Sequence, residues 1–349
     1  MIVITYMGQG MRRDTALKIA ELTKHQFYYQ PKGQKPSGHP VSNYTLKGTE
    51  QIPNQEVVSL IRSVQSVEDT DYGYRKMYYH LMQCGFNINH KKVYRLMKQA
   101  NLLKEKIKAD QTKTYVRYRI VSPERPLHVL EMDIKMVWVT EHRRHAYILT
   151  IIDTFTRVTL HWRVGYQMKK EEVQLAWQQV IEDHLQPADL LNGELHVELR
   201  NDNGPQFSAK EVKAFLNENH IKQVFTHPYT PQENGHIESF HYILKKALGV
   251  QPFWSLLELE SRLKQFYENY NRIRIHASIA NLSPYSFWAC WELNLIERTV
   301  TSKKQVRFKL TIPYQTLSTH ESLREVLCEN FLPFNGGKNY NEQTQQHAA

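Results

Sequence analysis

The stretch "RNDNGPQF", residues 200–207, sets Asp202 between two asparagines and then breaks the chain at Gly204-Pro205. Before it, "ELHVEL" (194–199) alternates polar and apolar residues as a strand does. After it, "SAKEVKAFLNEN" (208–219) has helical spacing. An acid therefore stands where a strand gives way to a helix. One reading is an ordinary turn, since Asx-Gly-Pro runs turn readily and Asp caps them. The other is a carboxylate that binds a metal ion together with acids from elsewhere in the chain.

Upstream, "HVLEMDIKMVWVTEHRRHAYILTIIDTFTRVTLHWRV" (128–164) reads as three strands, with turns at Glu141–Arg144 and Thr154–Thr156. In the first strand Leu130, Met132, Ile134 and Met136 point one way, and Glu131, Asp133 and Lys135 the other. An acid in the middle of a covered strand is costly unless it is paired or liganded. Glu131 is expected to pair with Lys135 or another surface cation, and Asp153 to serve the second turn. A helix near 169–185, a strand at 195–200, a helix at 208–219 and a short strand, "IKQVF" (221–225), complete the order βββαβαβα. This is α/β, a mixed five-stranded sheet flanked by helices, and the order resembles that of the ribonuclease H fold. That fold sets the first and fourth strands side by side, which would bring Asp133 to Asp202.

A third acid lies in "THPYTPQENGHIESFHYILKKAL" (226–248). Pro228 and Pro231 keep the loop extended, and Gly235 opens a helix with Ile237, Phe240, Leu244 and Leu248 as its core stripe. Glu238, His241, Tyr242 and Lys245 share the other side. Between Asp202 and Glu238 stand 35 residues.

Asp133, Asp202, 35 residues and Glu238 together resemble the D,D-35-E triad of the transposase and retroviral integrase superfamily. "IIDTFTR", "NDNGPQF", "PYTPQENGHIESFH" and "YNRIRIHASIANLSP" (270–284) carry the likeness further. The last, with "YGYRKMYYHLMQCGFNINHKKVYRLMKQANL" (72–102), resembles the second-frame product of a frameshifting bacterial insertion-sequence family. The likeness spans roughly residues 10–295, and linked motifs at proper spacing make it specific. That family usually has Trp and Thr just before the first acid, where this chain has "VLEMD". The resemblance implies a transposase that cleaves DNA at element ends and joins strands, with two Mg²⁺ or Mn²⁺ ions held by Asp133, Asp202 and Glu238. It also implies a homo-oligomer on DNA, and fusion or association with an upstream-frame product. Two rivals share the fold: a catalytically silent DNA-binding regulator and a structure-specific nuclease.

Charge supports a nucleic-acid partner. The net charge is +10, and residues 1–126 carry 21 Lys/Arg against 10 Asp/Glu, while 127–349 carry 24 against 25. A basic block of that kind faces a polyanion. Residues 15–30 read as two short helices, with Ala16, Ile19 and Ala20 as the apolar side and Thr23 as a cap, and residues 1–29 form the first segment. They fit a small helix-turn-helix or a plain helical hairpin. Residues 30–53 read as a linker, rich up to residue 49 in Pro, Gly, Lys and Ser. Residues 54–104 read as a three-helix DNA-binding domain, with Gly85 ending its second helix and Asn89 capping the third. Arg75 and Lys76 on the second helix, and Lys91, Lys92, Arg95 and Lys98 on the third, are its expected DNA contacts. Residues 105–126 form a basic linker, 127–295 the catalytic core with C-terminal helices, and 296–349 an extension. In that extension "KKQVRFKLTIP" suits a strand and the tail suits disorder. Lys245, Asn203, Arg272, Arg274 and His276 are further expected DNA contacts. Trp254, Trp288 and Trp291 are expected in the core.

The three cysteines, Cys84, Cys290 and Cys328, form no CxxC and no disulfide framework. No apolar run reaches membrane length and no signal-peptide pattern opens the chain, which predicts a soluble intracellular protein with no membrane partner; the resemblance to a bacterial insertion-sequence family implies a bacterial cytoplasm and association with the nucleoid. No heptad run long enough for a coiled coil is present.

Overall fold

The structure, a computed structural model, describes residues 2–28, 42–70, 72–104, 121–193, 195–226, 234–301 and 306–324. It divides into two units, residues 1–43 and 44–349. In the first, α1 (Ile2–Gly8), α2 (Arg13–Ile19) and α3 (Lys24–Tyr28) bury Val3, Ala16 and Leu17 against Met11, Ala20 and Phe27. The two expected helices are present, and α1 precedes them. Ile19 is exposed instead of buried, because Leu17 takes the inward position beside Ala16.

The second unit begins with a hairpin, β1 (Tyr44–Lys47) and β2 (Glu50–Pro53). Lys47 pairs with Glu50 across a two-residue loop, and Gly48 at its first position has φ +58°, which the tight turn needs. This corrects the reading of 30–53 as linker throughout, since 44–53 form strands. Then follow α4 (Asn54–Ser66), α5 (Tyr74–Gln83), β3 (Phe86–Asn87), which also pairs with β1, and α6 (His90–Gln99). The three expected helices stand where their apolar spacing put them. Gly85, at φ +89°, follows the end of α5, and the Asn89 side chain accepts the Lys91 N–H at 2.8 Å. Val57, Ile61, Met77, Leu81, Val93, Leu96 and Met97 fill the centre.

The third part is the sheet that positions the acids. Its strands are β4 (Val129–Val139), β5 (Arg144–Asp153), β6 (Thr159–Gly165), β7 (Val197–Asn201) and β8 (Ile221–Phe225), in the order β6-β5-β4-β7-β8. The first three run antiparallel, while β7 is parallel to β4 and β8 to β7. One face carries Leu130, Met132, Leu149 and Ile151 under α7 (Lys170–Val180), the short helix α8 (Pro205–Ser208) and α9 (Lys210–Glu218). A π-helical turn, Ile181–Leu185, extends α7. The other face carries Ala146, Ile148 and Ile152 under α10 (Gly235–Leu248) and α11 (Leu256–Arg272). Trp162 of β6 stacks on Tyr267 of α11 at 4.9 Å with the rings parallel to within 1°. Asp153 accepts bonds from Phe155 N–H, Thr156 N–H and the Thr156 hydroxyl, so it builds the second turn as expected.

The chain continues through α12 (Pro284–Glu292) and a hairpin of β9 (Ile296–Val300) and β10 (Val306–Leu310), so "KKQVRFKLTIP" does supply a strand. The tail from 325 onward and most of the 105–126 linker lie outside the described residues. Trp288 is buried and Trp291 packs on the core, but Trp254 is 66% exposed, against expectation. No helix among the described residues is long and apolar enough to cross a membrane.

The helical segment 54–104 docks on the far end of α11. Arg262 donates to both carboxylate oxygens of Asp69, at 3.0 and 2.6 Å, and Arg274 Nη1 donates to the Asp69 carbonyl at 3.0 Å. The Tyr72 hydroxyl donates to the Ile273 carbonyl, and Gln83 to that of Asn281 at 3.0 Å.

Candidate active site

The parallel ladder between β4 and β7 pairs Val129 with Glu198, Leu130 with Leu199 and Glu131 with Arg200. Two residues further along each strand stand Asp133 and Asp202. The same stagger thus sets both acids two residues past the shared ladder, Asp133 within β4 and Asp202 just beyond β7. Asp202 lies just past β7, exposed, with Oδ1 accepting the Gly204 N–H at 2.9 Å. The turn reading of "NDNGPQF" therefore holds as local geometry, and it fixes the carboxylate at the lip of the sheet. Asn203 donates to the Thr226 carbonyl at 3.1 Å, tying this turn to the end of β8.

Asp133 is partly covered by α10. Its Oδ1 accepts the Ile134 N–H at 2.7 Å, and its Oδ2 lies 3.2 Å from Nδ1 of the buried His241. Glu238, one turn before His241, has its pKa raised by partial burial and by the nearby carboxylates Asp133 and Glu131. Like charges held together in this way are what a bound cation would relieve.

Glu131 departs from expectation. It is fully buried, its Oε2 accepts the Ile237 N–H at 2.7 Å, and its Oε1 lies 2.9 Å from His236 Nδ1. Strand alternation puts it on the side of Asp133, but the helix that covers it comes from more than 100 residues away. His236 and His241, each three residues or fewer from Glu238, are the other groups that sequence reasoning passed over as site residues. Their signal was their spacing on α10.

The expected DNA contacts divide. Lys91, Arg95 and Lys98 stand exposed on α6, and Lys245 on α10; Lys135 of β4 has its pKa lowered by burial and then by the nearby Lys245. Arg75 is exposed, with Nε donating to the Tyr74 hydroxyl at 3.2 Å. Lys92 Nζ bonds the Tyr44 carbonyl at 2.5 Å, and Arg272 Nε lies 3.6 Å from Glu268. Lys76 is half-buried, its pKa lowered to about 8 by burial and then by Arg274 and Lys246. Arg274 and His276 correct the expectation of outward-facing contacts. Arg274 bonds the Asp69 carbonyl within the docked seam, and His276 stacks its ring edge-on to Tyr270 at 5.0 Å with Nε2 buried. Both sit inward because the turn after α11 folds back beneath the helical segment.

Comparison with known proteins agrees with this layout. Two models of the "Integrase core domain" family match residues 123–231 and 219–284, and an "HTH-like domain" model matches 53–108. The putative transposase InsK for insertion sequence element IS150 of Escherichia coli K12 is 27% identical over 301 residues, 82% of this chain and 97% of that one. A 39.2 kDa insertion element IS476 protein of Xanthomonas euvesicatoria is 27% identical over 219 residues, and the match spans 62% of this chain but only 60% of that protein. Among solved structures, the catalytic core of BIV integrase shares 20% identity at a TM-score of 0.35, covering 48% of this chain and 97% of that one. The catalytic domain of Mos1 mariner transposase shares 14% at 0.33, covering 40% and 70%. The matches thus set an HTH-like segment ahead of an integrase-core segment, and the latter coincides with the five-stranded sheet. Over most of its length the chain is similar to an insertion-element transposase.

Proposed function

We propose that this protein is a DNA polynucleotidyl transferase that cleaves a strand at the end of an insertion element and joins the freed 3′-OH to target DNA. The reading is supported above all by the β4–β7 ladder, which carries Asp133 and Asp202 to one end of the sheet while α10 lays Glu238 near Asp133. Asp133, Asp202 and Glu238 are the residues assigned to catalysis.

The donor set suits a hard divalent cation, since it consists of carboxylate oxygens. Among the described residues no three His, Cys, Asp or Glu side chains gather tightly enough to hold a metal ion alone. Mg²⁺ asks for less than that, because it keeps several waters and takes one or two carboxylates together with substrate phosphates. Asp133 and Glu238 fit on charge, and Asp202 is exposed at the same lip. Two divalent ions bound there would activate the attacking oxygen and stabilise the leaving one in an in-line displacement. The chain's own part is to hold the acids in place: the Asx turn fixes Asp202, His241 orients Asp133, and the first turn of α10 aims Glu238. Lys245, two turns beyond Glu238, offers a cation to the DNA phosphate. First water, then the 3′-OH, attacks a phosphodiester, so no covalent enzyme intermediate forms.

Lys91, Arg95 and Lys98 on α6 are assigned to binding the element end. A homo-oligomer on DNA, and fusion or association with an upstream-frame product, belong to the same reading, as does action at the nucleoid of a bacterial cytoplasm. The test is a labelled element-end duplex with Mg²⁺ or Mn²⁺. Asp133→Asn, Asp202→Asn and Glu238→Gln should each lower cleavage and joining by orders of magnitude while DNA binding persists. Near-normal joining by any of the three, or full activity in chelator, overturns the assignment.

A further inference from the structure

The helix that carries Glu238 does not cap itself. Asn234, at its N-cap position, makes no side-chain cap bond, and its Oδ1 is buried without a partner. The first backbone N–H groups of a helix need acceptors, and a capping oxygen commonly takes the N–H of the second or third residue. Here the acceptor for the third residue, Ile237, is the Glu131 carboxylate on β4, at 2.7 Å. The second oxygen lies 2.9 Å from Nδ1 of His236, the second residue of the same helix. Glu131 is fully buried, so both bonds form away from water. Two residues along the same strand, Asp133 lies 3.2 Å from His241 of the same helix. Strand and helix are thus joined on either side of Glu238.

We propose that Glu131 is the positioning residue of this site: it borrows the role of helix cap for α10 and thereby fixes Glu238 against Asp133. A local cap at Asn234 would have satisfied the same N–H without tying the helix to the strand. A carboxylate from β4 does both, because an ionised carboxylate has two oxygens that only accept. The inference rests on the catalytic assignment of Asp133 and Glu238, and its test separates the two.

Glu131→Leu keeps volume and removes both acceptors. Glu131→Gln keeps an acceptor for Ile237 and a polar partner for His236. Two readings are taken: joining of an element-end duplex, and the Mn²⁺ concentration at half-maximal thermal stabilisation of the DNA-free protein. Glu131→Leu should weaken both by about tenfold or more, the usual cost of losing a group that orients a ligand. DNA-end affinity should stay at the wild-type level, and Glu131→Gln should recover most of both losses. A helix simply in need of a cap is distinguished by adding Asn234→Asp to Glu131→Leu. The local cap should restore thermal stability but leave the Mn²⁺ midpoint and joining impaired. Full recovery of joining in that double variant overturns the proposal, as does a Glu131→Leu protein with a normal Mn²⁺ midpoint. Asp133→Asn is run alongside. If it joins normally, the catalytic assignment fails whatever Glu131 does.

Discussion

Asn271 of α11 and Thr159 of β6 share three hydrogen bonds: the Asn271 Oδ1 accepts the Thr159 N–H at 2.9 Å and its hydroxyl at 3.0 Å, and the Asn271 amide donates to the Thr159 carbonyl at 3.0 Å. Both residues are buried. The amide therefore completes the ladder of β6 just where the strand bulges against β5 between Ile151 and Ile152. Asn271→Ala would leave a buried donor and acceptor of the backbone unpaired. The expected loss is about 2–4 kcal/mol of stability, read from the urea midpoint of the full chain. A loss under about 0.5 kcal/mol, the range of a surface substitution, would show that water or a shift of the helix replaces the amide.

Arg262 and Asp69 form the second test. Asp69 is almost fully buried and Arg262 nearly so, and the pair is bidentate. Removing one member of a buried pair strands the other, at a cost of about 3–5 kcal/mol. Arg262→Ala should therefore loosen the helical segment from α11. Hydrogen exchange in α4–α6 should rise to a level distinct from that of β4 and β5. Uniform exchange across both regions, unchanged from wild type, would mean the Tyr72 and Gln83 contacts hold the seam alone.

Lys245→Ala addresses DNA contact. If Lys245 meets a phosphate, the variant should weaken binding of the element end and reduce the slope of log K against log salt by about one unit. Its metal dependence should stay as in wild type. Equal affinity and slope would leave Lys245 a solvated surface residue.

Lys76 gives a pH dependence. Burial, then Arg274 and Lys246, lower its pKa to about 8 in the folded chain, against 10.5 for the ordinary side chain. Between those values the unfolded chain binds more protons than the folded one, so this residue makes stability rise with pH across that window. Below it the buried charge is a standing penalty. Lys76→Met should raise the thermal midpoint at pH 7, and its advantage over wild type should shrink as pH climbs from about 8 towards 10. An advantage that stays constant with pH would assign the gain to packing alone.

Much of this layout was legible in the chain. Gly85 and Asn89 mark helix ends because their chemistry is local, and the β4–β5–β6 meander follows from alternation and turn residues. The neighbouring of β4 and β7 was legible because a known strand order supplied what periodicity cannot, namely which strands lie side by side. Three of the misses share one cause. Glu131, Arg274 and His276 look outward when charge alone is read, yet Glu131 is buried and the other two are half-buried by elements distant in sequence: α10 over Glu131, the helical segment over the turn after α11. The β1–β2 hairpin was hidden by the Pro-, Gly- and Lys-rich composition that runs up to its turn. Trp254 failed the other way, since size and aromaticity say nothing of whether a partner surface exists.

The docked seam has a consequence for the DNA. With Asp69, Tyr72 and Gln83 fastened to α11 and the turn beyond it, helix α6 and the carboxylates at the end of β4 belong to one body. On the proposed reading, in which α6 holds the element end and the carboxylates serve the cut, a protein built in this way acts as a ruler. The number of base pairs between the sequence gripped by α6 and the phosphate that is cut would be set by the spacing of side chains in the protein. Inserting a base pair into that interval would move the cut to a new nucleotide while its distance from the gripped sequence stayed the same.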